Sequence, residues 1–328
     1  MTSAPRLVGR FDLEDPAGPR CAWSGSAVQV RFSGPSLAVR LRGSRDFFAV
    51  TLDGVPLPAL AATPQRERYE LAADLSGGEH ELGLCKRTEP LVGETQLLGF
   101  DPGPGGRLLP PAPAPARRLE FIGDSITAGF GVLGRDASCP FSPDTEDFTR
   151  AYAAVAARAL GAEAVAVAWS GRGVCRNYND EPGAPMPVLF ERTLPARAGS
   201  RWDFGRWTPD AVVVNLGTND FGLGRPQEGA FVRAYAGLLR RIREVYPRAP
   251  IVSAVGPMLA GDDLRAARAW VDAAVEEARA AGAGPITRLD HPPQEPADGY
   301  GGDGHPSART HERMAAQLAA ALRRLLGW

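Results

Sequence analysis

Two domains of different class are predicted by this sequence: an all-β sandwich of jelly-roll type, then a three-layer α/β domain built on a parallel sheet. Three observations predict them. Up to about residue 100 apolar residues alternate with period two; Pro, Gly and Ala then dominate residues 101–116; beyond them, short apolar runs alternate with helix-length amphipathic stretches. The boundaries read as 1–105 for the sandwich, 106–117 for a Pro-rich linker and 118–328 for the α/β domain.

In the first part, Ala27–Phe32 leads to the turn Ser33-Gly34-Pro35, and Leu37–Arg42 ends at Gly43. Phe47–Leu52 runs into Asp53-Gly54, a hairpin-type turn. Further short strands are expected at Arg68–Leu71, His80–Cys85 and Gln96–Phe100. Short strands at regular spacing, uninterrupted by a helical pattern, call for a sandwich. The prolines that come next remove amide donors and favour extended chain, which defines the linker.

In the second part, strands are expected at Arg118–Gly123, Ala164–Trp169, Ala211–Leu216, Ile251–Val255 and Ile286–Asp290. Helices are expected at Asp147–Leu160, Glu228–Val245, Asp262–Ala281 and Ser307–Leu326. Strands alternating with helices form a parallel sheet covered on both faces. Such a sheet carries its site at the carboxyl ends of its strands, so chemistry-bearing residues belong just after them.

Bulk properties narrow the function classes. The formal net charge is -1, and no field of one sign favours nucleic acid or an anionic membrane surface. No run of apolar residues is long enough to span a bilayer. The opening MTSAPRLVGRFD has no apolar core of a signal peptide, which points to a cytoplasmic chain. Cys21, Cys85, Cys139 and Cys175 lie far apart with no C-x-x-C pair, unlike a zinc or thioredoxin site. They read as unpaired thiols, with a Cys139–Cys175 bridge as the alternative. Nothing calls for a metal or a cofactor, and nothing indicates the oligomeric state.

The residues that carry chemistry fall where the fold class requires. Gly123-Asp124-Ser125 succeeds the first strand, and Ser125 fits either a helix cap or an exposed nucleophile. Gly171 and Gly173 come after the second strand, where an unobstructed backbone N–H faces a ligand. Asn219 comes after the third strand, and its amide is a donor for a developing oxyanion. Of four histidines, His305 sits in a glycine-rich loop before the last helix, with Pro306 next to it. His291, after the fifth strand, is the rival base; His80 and His311 read as surface or packing residues.

Taken together and in order, Gly-Asp-Ser125, Gly171, Gly-Thr-Asn219-Asp and His305-Pro-Ser resemble the SGNH (GDSL-type) hydrolase superfamily. The resemblance implies a flavodoxin-like three-layer domain with Ser125 as nucleophile and His305 as its base. It also implies an oxyanion hole made by the Ser125 and Gly171 amides and the Asn219 side chain; Gly173 is equally unhindered on sequence. A narrower likeness is to carbohydrate esterase family 2, through Ser170–Tyr178, Met186-Pro187, Trp202–Asp210 and Asn215–Phe221. That family similarly joins a jelly-roll to an SGNH domain. The likeness implies removal of acetyl groups from sugar hydroxyls, particularly at primary positions, on a small-molecule or oligosaccharide ester. Such a substrate argues for a secreted chain, against the reading of the N-terminus. The rivals are a lipase or thioesterase on the same fold, and a non-catalytic carbohydrate-binding protein.

One departure stands out. The superfamily carries an Asp three residues before the histidine, where this chain has Gly302; Asp303 lies two before it. Asp303 is the expected orienter of His305, a backbone carbonyl the alternative, and Asp220 and Asp298 are weaker candidates. Trp169, Trp202 and Trp207 border the 172–201 loop as sugar-stacking or packing residues. Arg172 and Arg176 bind sugar hydroxyls or pair with Asp180 and Glu181.

Overall fold

Alternation along Ala27–Ser33 buries Val28, Val30 and Phe32 and leaves Gln29, Arg31 and Ser33 partly exposed, the pattern of a strand with one face on a core. The computed structural model describes residues 4–328. They form two units, 4–114 with 193–200, and 115–192 with 201–328.

The first unit holds β1 (Arg6–Val8), β2 (Arg20–Cys21), β3 (Ala27–Ser33), β4 (Leu37–Arg42) and β5 (Phe47–Leu52). It continues with β6 (Val55–Ala61), β7 (Arg68–Ala72), β8 (Glu79–Lys86), β9 (Thr95–Asp101) and β10 (Arg107–Leu109). One antiparallel sheet runs β1-β3-β8-β5-β6 with β10 also on β3; the other runs β2-β9-β4-β7. Phe32, Phe48, Leu82 and Leu84 of the first sheet share a core with Leu37, Val39, Tyr69 and Leu97 of the second. This is the expected sandwich. Asp53-Gly54 joins β5 to β6 with Leu52 paired to Val55. Pro56 and Pro58 are tolerated in β6 because it ends its sheet.

Two features of the first unit depart from the sequence reading. Arg107–Leu109, placed in the linker, is a strand in register with β3, Leu108 opposite Phe32. No proline lies between Pro104 and Pro110, so the amides of Arg107, Leu108 and Leu109 are free to pair. Residues 193–200, read as part of the α/β domain, group with the sandwich, where Arg197 grips Glu94 at 2.6 Å.

The second unit consists of β11 (Arg117–Gly123), α1 (Ser125–Ala128), α2 (Tyr152–Ala159), β12 (Ala162–Ala168), α3 (Met186–Leu189) and β13 (Ala211–Asn215). Then come α4 (Glu228–Val245), β14 (Ile251–Val255), α5 (Gly261–Ala280), β15 (Ile286–Asp290) and α6 (Ala308–Leu326). All five strands are parallel in the order β12-β11-β13-β14-β15. β13 and β14 are buried throughout, as two covered faces require. The chain leaves β11 for β12 on one side and returns to β13 on the other. That reversal opens the crevice in which such folds bind ligands.

Where a helix was expected from Asp147, Asp147 instead caps a 3-10 turn at Phe148–Arg150 and Ala151 is extended. α2 starts only at Tyr152, whose N–H donates to His311 Nδ1 at 3.1 Å. A tertiary acceptor here takes the place of a helical one. All four cysteines are free thiols, so Cys139 and Cys175 are not bridged. Among the described residues no helix is long and apolar enough to cross a membrane.

Candidate active site

Gly123 ends β11, and Asp124 caps α1 by accepting the Ile126 N–H at Oδ1 over 3.0 Å. Ser125 is therefore the first residue of a helix, where an N–H has no intrahelical acceptor. Among the described residues that N–H has no hydrogen-bond partner, and Ser125 is 6% exposed. Asp124 is thus the cap, and the Ser125 side chain is free of that role.

After β12 the chain turns through Gly171 at φ +75°, a conformation open to glycine at little cost. Its N–H also lacks a partner among the described residues. Gly173 differs: its amide donates to Asn177 Oδ1 at 3.3 Å. Of the two glycines the sequence offers, Gly171 has the available donor.

Asn219 lies just beyond β13 and is 8% exposed. Its Nδ2 lies 3.3 Å from Asp124 Oδ2 and 3.1 Å from the Arg172 carbonyl, which ties it to both the serine turn and the Gly171 loop. The next residue fixes that loop. Buried Asp220 accepts the N–H groups of Val174 at 2.9 Å, Cys175 at 2.8 Å and Arg176 at 3.0 Å. Burial raises the Asp220 pKa, and the three amides pull it back. Asp220 is thus remote from any histidine contact, and its carboxylate holds the segment that carries Gly171.

His305 comes from the loop ahead of α6. Its Nε2 is 3.0 Å from Ser125 Oγ, across 180 residues of sequence. Burial pushes its pKa below the ordinary histidine value, while the backbone of Asp303 and Gly302 and the Asp303 charge pull the other way. The ring is therefore neutral near pH 7. With the proton on Nδ1, Nε2 accepts the Ser125 hydroxyl proton. Nδ1 itself is buried without a regular hydrogen bond.

The structure does not bring the Asp303 carboxylate to that nitrogen. Asp303 has φ +51°, and its left-handed turn carries Oδ2 to the Phe141 N–H at 3.0 Å. An aspartate one residue earlier would be tightly placed as well. The Gly302 N–H donates to the Gly131 carbonyl at 2.8 Å, and a Cβ on Gly302 would stand 3.0 Å from the Cys139 carbonyl. Asp298 is turned away too, paired with Arg309 at 3.0 Å and with Arg313.

The other histidines are accounted for. His291 is fully buried and bonds Gln317 Oε1 at 2.8 Å; His311 is fully buried against Tyr152; His80 pairs with Asp53 at 2.8 Å. Arg172 lies over the Trp169 ring at 4.8 Å and donates to the Pro182 carbonyl. Arg176 pairs loosely with Asp180 at 3.7 Å, and Trp207 Nε1 donates to Glu163 at 3.0 Å. Among the described residues no group of three or more His, Cys, Asp or Glu side chains is placed to hold a metal ion.

The sequence reading missed Phe130 and Phe141. Phe130 faces the His305 ring at 4.3 Å between centroids, and Phe141 stacks on Phe130 at 4.2 Å. Both sit in irregular loops, where no periodicity marks a residue as placed.

Residues 7–113 match the family Carbohydrate esterase 2 N-terminal, and residues 121–313 match the GDSL-like Lipase/Acylhydrolase family. A solved family two carbohydrate esterase from Clostridium thermocellum, in complex with cellohexaose, superposes with a TM-score of 0.95 at 41% identity, over 99% of this chain and 100% of that one. The chain belongs to carbohydrate esterase family 2. This family 2 chain is also 43% identical to the cellulase/esterase CelE of Acetivibrio thermocellus over 324 residues, 98% of its own length but 39% of CelE. It is 26% identical to an acetylxylan esterase / glucomannan deacetylase of Cellvibrio japonicus, over 98% of this chain and 89% of that protein.

Proposed function

We propose that this chain is a serine esterase that removes O-acetyl groups from acetylated sugars or oligosaccharides through an acyl-enzyme. The observation that carries the proposal is the 3.0 Å contact between Ser125 Oγ and His305 Nε2; among the described residues the Ser125 and Gly171 amides have no hydrogen-bond partner. The substrate class rests on family 2 membership and on relatives named for acetylxylan and glucomannan.

In this mechanism His305 Nε2 takes the Ser125 proton as Oγ attacks the acetyl carbonyl. The carbonyl π electrons move to oxygen, against the Ser125 and Gly171 N–H groups and Asn219 Nδ2. Asn219 meets the oxyanion by trading its longer bond, the 3.3 Å contact to Asp124. The C–O bond to the sugar breaks, and the alkoxide takes the proton from His305. Water then attacks the acetyl-serine with His305 again as base, releasing acetate and restoring the Ser125 hydroxyl.

Asn219→Ala is expected to lower kcat by about 10²–10³-fold with KM little changed, because the lost donor serves the transition state. Steady-state kinetics on an acetyl ester checks this. Chain-length choice is checked by comparing acetyl with octanoyl nitrophenyl esters; a preference for octanoyl would overturn the sugar-acetate reading. A panel of singly acetylated hexosides should lose acetate first from the primary hydroxyl.

A further inference from the structure

His305 lacks the carboxylate that usually fixes a catalytic imidazole; the backbone of Asp303 and Gly302 lies against the ring, but Nδ1 makes no regular hydrogen bond to hold it. We propose that an aromatic clasp holds it: Phe130 against the imidazole face, Phe141 behind Phe130, and the Asp303 carboxylate locking Phe141 in place. The proposal rests on the assignment of His305 as the base.

Three contacts close a circuit that begins and ends in the His305 loop, and a fourth ties that loop to Cys139. The imidazole and Phe130 centroids are 4.3 Å apart at 37°, and Phe130 and Phe141 are 4.2 Å apart at 14°. The Phe141 N–H donates to Asp303 Oδ2 at 3.0 Å, and the Asp303 N–H donates to the Cys139 carbonyl at 2.9 Å. Asp303 is two residues from His305 in sequence. The 129–141 loop and the 301–305 loop are also joined by the Gly302 N–H to Gly131 bond.

Rotation of the imidazole about its bond to Cβ would drive its edge into Phe130, so the ring plane that presents Nε2 to Ser125 is retained. The same face contact suits the imidazolium formed during attack, because a cation over an aromatic face is attracted to it. Asp303 and Phe141 are then positioning residues: neither touches the reacting atoms, and each acts through Phe130. A directly bonded carboxylate works otherwise. It selects the ring tautomer by its charge and its acceptor oxygen, a function that asparagine destroys.

That contrast gives the test. Asp303→Asn keeps an oxygen for the Phe141 N–H and tolerates the left-handed turn. Asp303→Gly also tolerates the turn but removes the acceptor. We expect Asp303→Asn to stay within about fivefold of the parent in kcat. Asp303→Gly and Phe130→Leu should each lose about 10–100-fold in kcat with KM within about twofold, the signature of a misplaced base. Phe130→Tyr should restore most of the Phe130→Leu loss. Melting temperatures check the fold of each variant, and Phe141→Leu substitutes if Phe130→Leu does not fold. A loss near 10⁴-fold in Asp303→Asn would overturn the clasp in favour of a directly bonded carboxylate. Parent-like kcat in both Asp303→Gly and Phe130→Leu would overturn it as well. Failure of the underlying base assignment has a separate signature, full turnover in His305→Ala, and would remove the clasp with it.

Discussion

Ser125→Ala is expected to lower the kcat of acetyl-ester hydrolysis by about 10⁶-fold, and His305→Ala to do the same, with the double variant hardly worse than either. The 3.0 Å bond makes the two side chains one device, since neither an unassisted hydroxyl nor a base without a nucleophile performs the first step. What survives comes from binding and from the oxyanion donors, which do not involve the removed atoms. Structure should survive as well. The Ser125 side chain caps nothing, because Asp124 does that. Equal melting temperatures for parent and Ser125→Ala, with turnover at background, are the expected pair of readings. Additive losses in the double variant would mean that the two residues act separately.

A second large effect concerns stability in acid. His291 and His311 are fully buried, and burial brings their pKa values down to about 4 and about 3. Unfolded, each titrates near 6.5. The folded-state values are depressed, so the stability these groups confer is complete above pH 6.5. It is lost as pH falls, because the unfolded chain binds two protons that the native chain refuses. Near pH 5 the slope approaches its limit of about 2.7 kcal/mol per pH unit, or 1.4 for each histidine. His305 adds a contribution of the same sign. One pH unit thus removes a large part of the roughly 5–15 kcal/mol that keeps a domain folded. Urea unfolding at pH 7, 6 and 5 should show this fall, and His291→Asn should flatten it by about 1.4 kcal/mol per unit. Asparagine retains a donor for Gln317, so packing is little disturbed. A free energy constant from pH 7 to pH 5 would contradict these assignments.

Much of the fold was legible because its period is strong. Glu228–Val245, Ile251–Val255 and Ile286–Asp290 appear in the structure with the bounds that apolar spacing assigns them. The catalytic candidates were legible for a related reason. A parallel sheet delivers the residues just past its strands to one edge, and Ser125, Gly171 and Asn219 each come after a strand. Local backbone geometry was not legible. Whether Asp303 reaches His305 depends on two left-handed residues, Asp303 and Gly304, and the sequence shows an aspartate near a histidine in either case. Whether Gly171 or Gly173 has a free amide depends on Asn177, four residues beyond Gly173, whose side-chain oxygen accepts the Gly173 N–H. The start of α2 was misplaced because the acceptor for its first N–H is His311, brought from the far end of the chain. Contacts of that range leave no periodic trace.

The mechanism depends most on Ser125 being the residue that becomes acylated. Treating the protein with an acyl-mimicking fluorophosphonate and mapping the modified peptide measures this directly. The expected result is one phosphonate per chain, on Ser125, with esterase activity lost in proportion to labelling and no labelling in His305→Ala. Labelling at another residue, or full labelling of Ser125 with activity retained, would contradict the assignment.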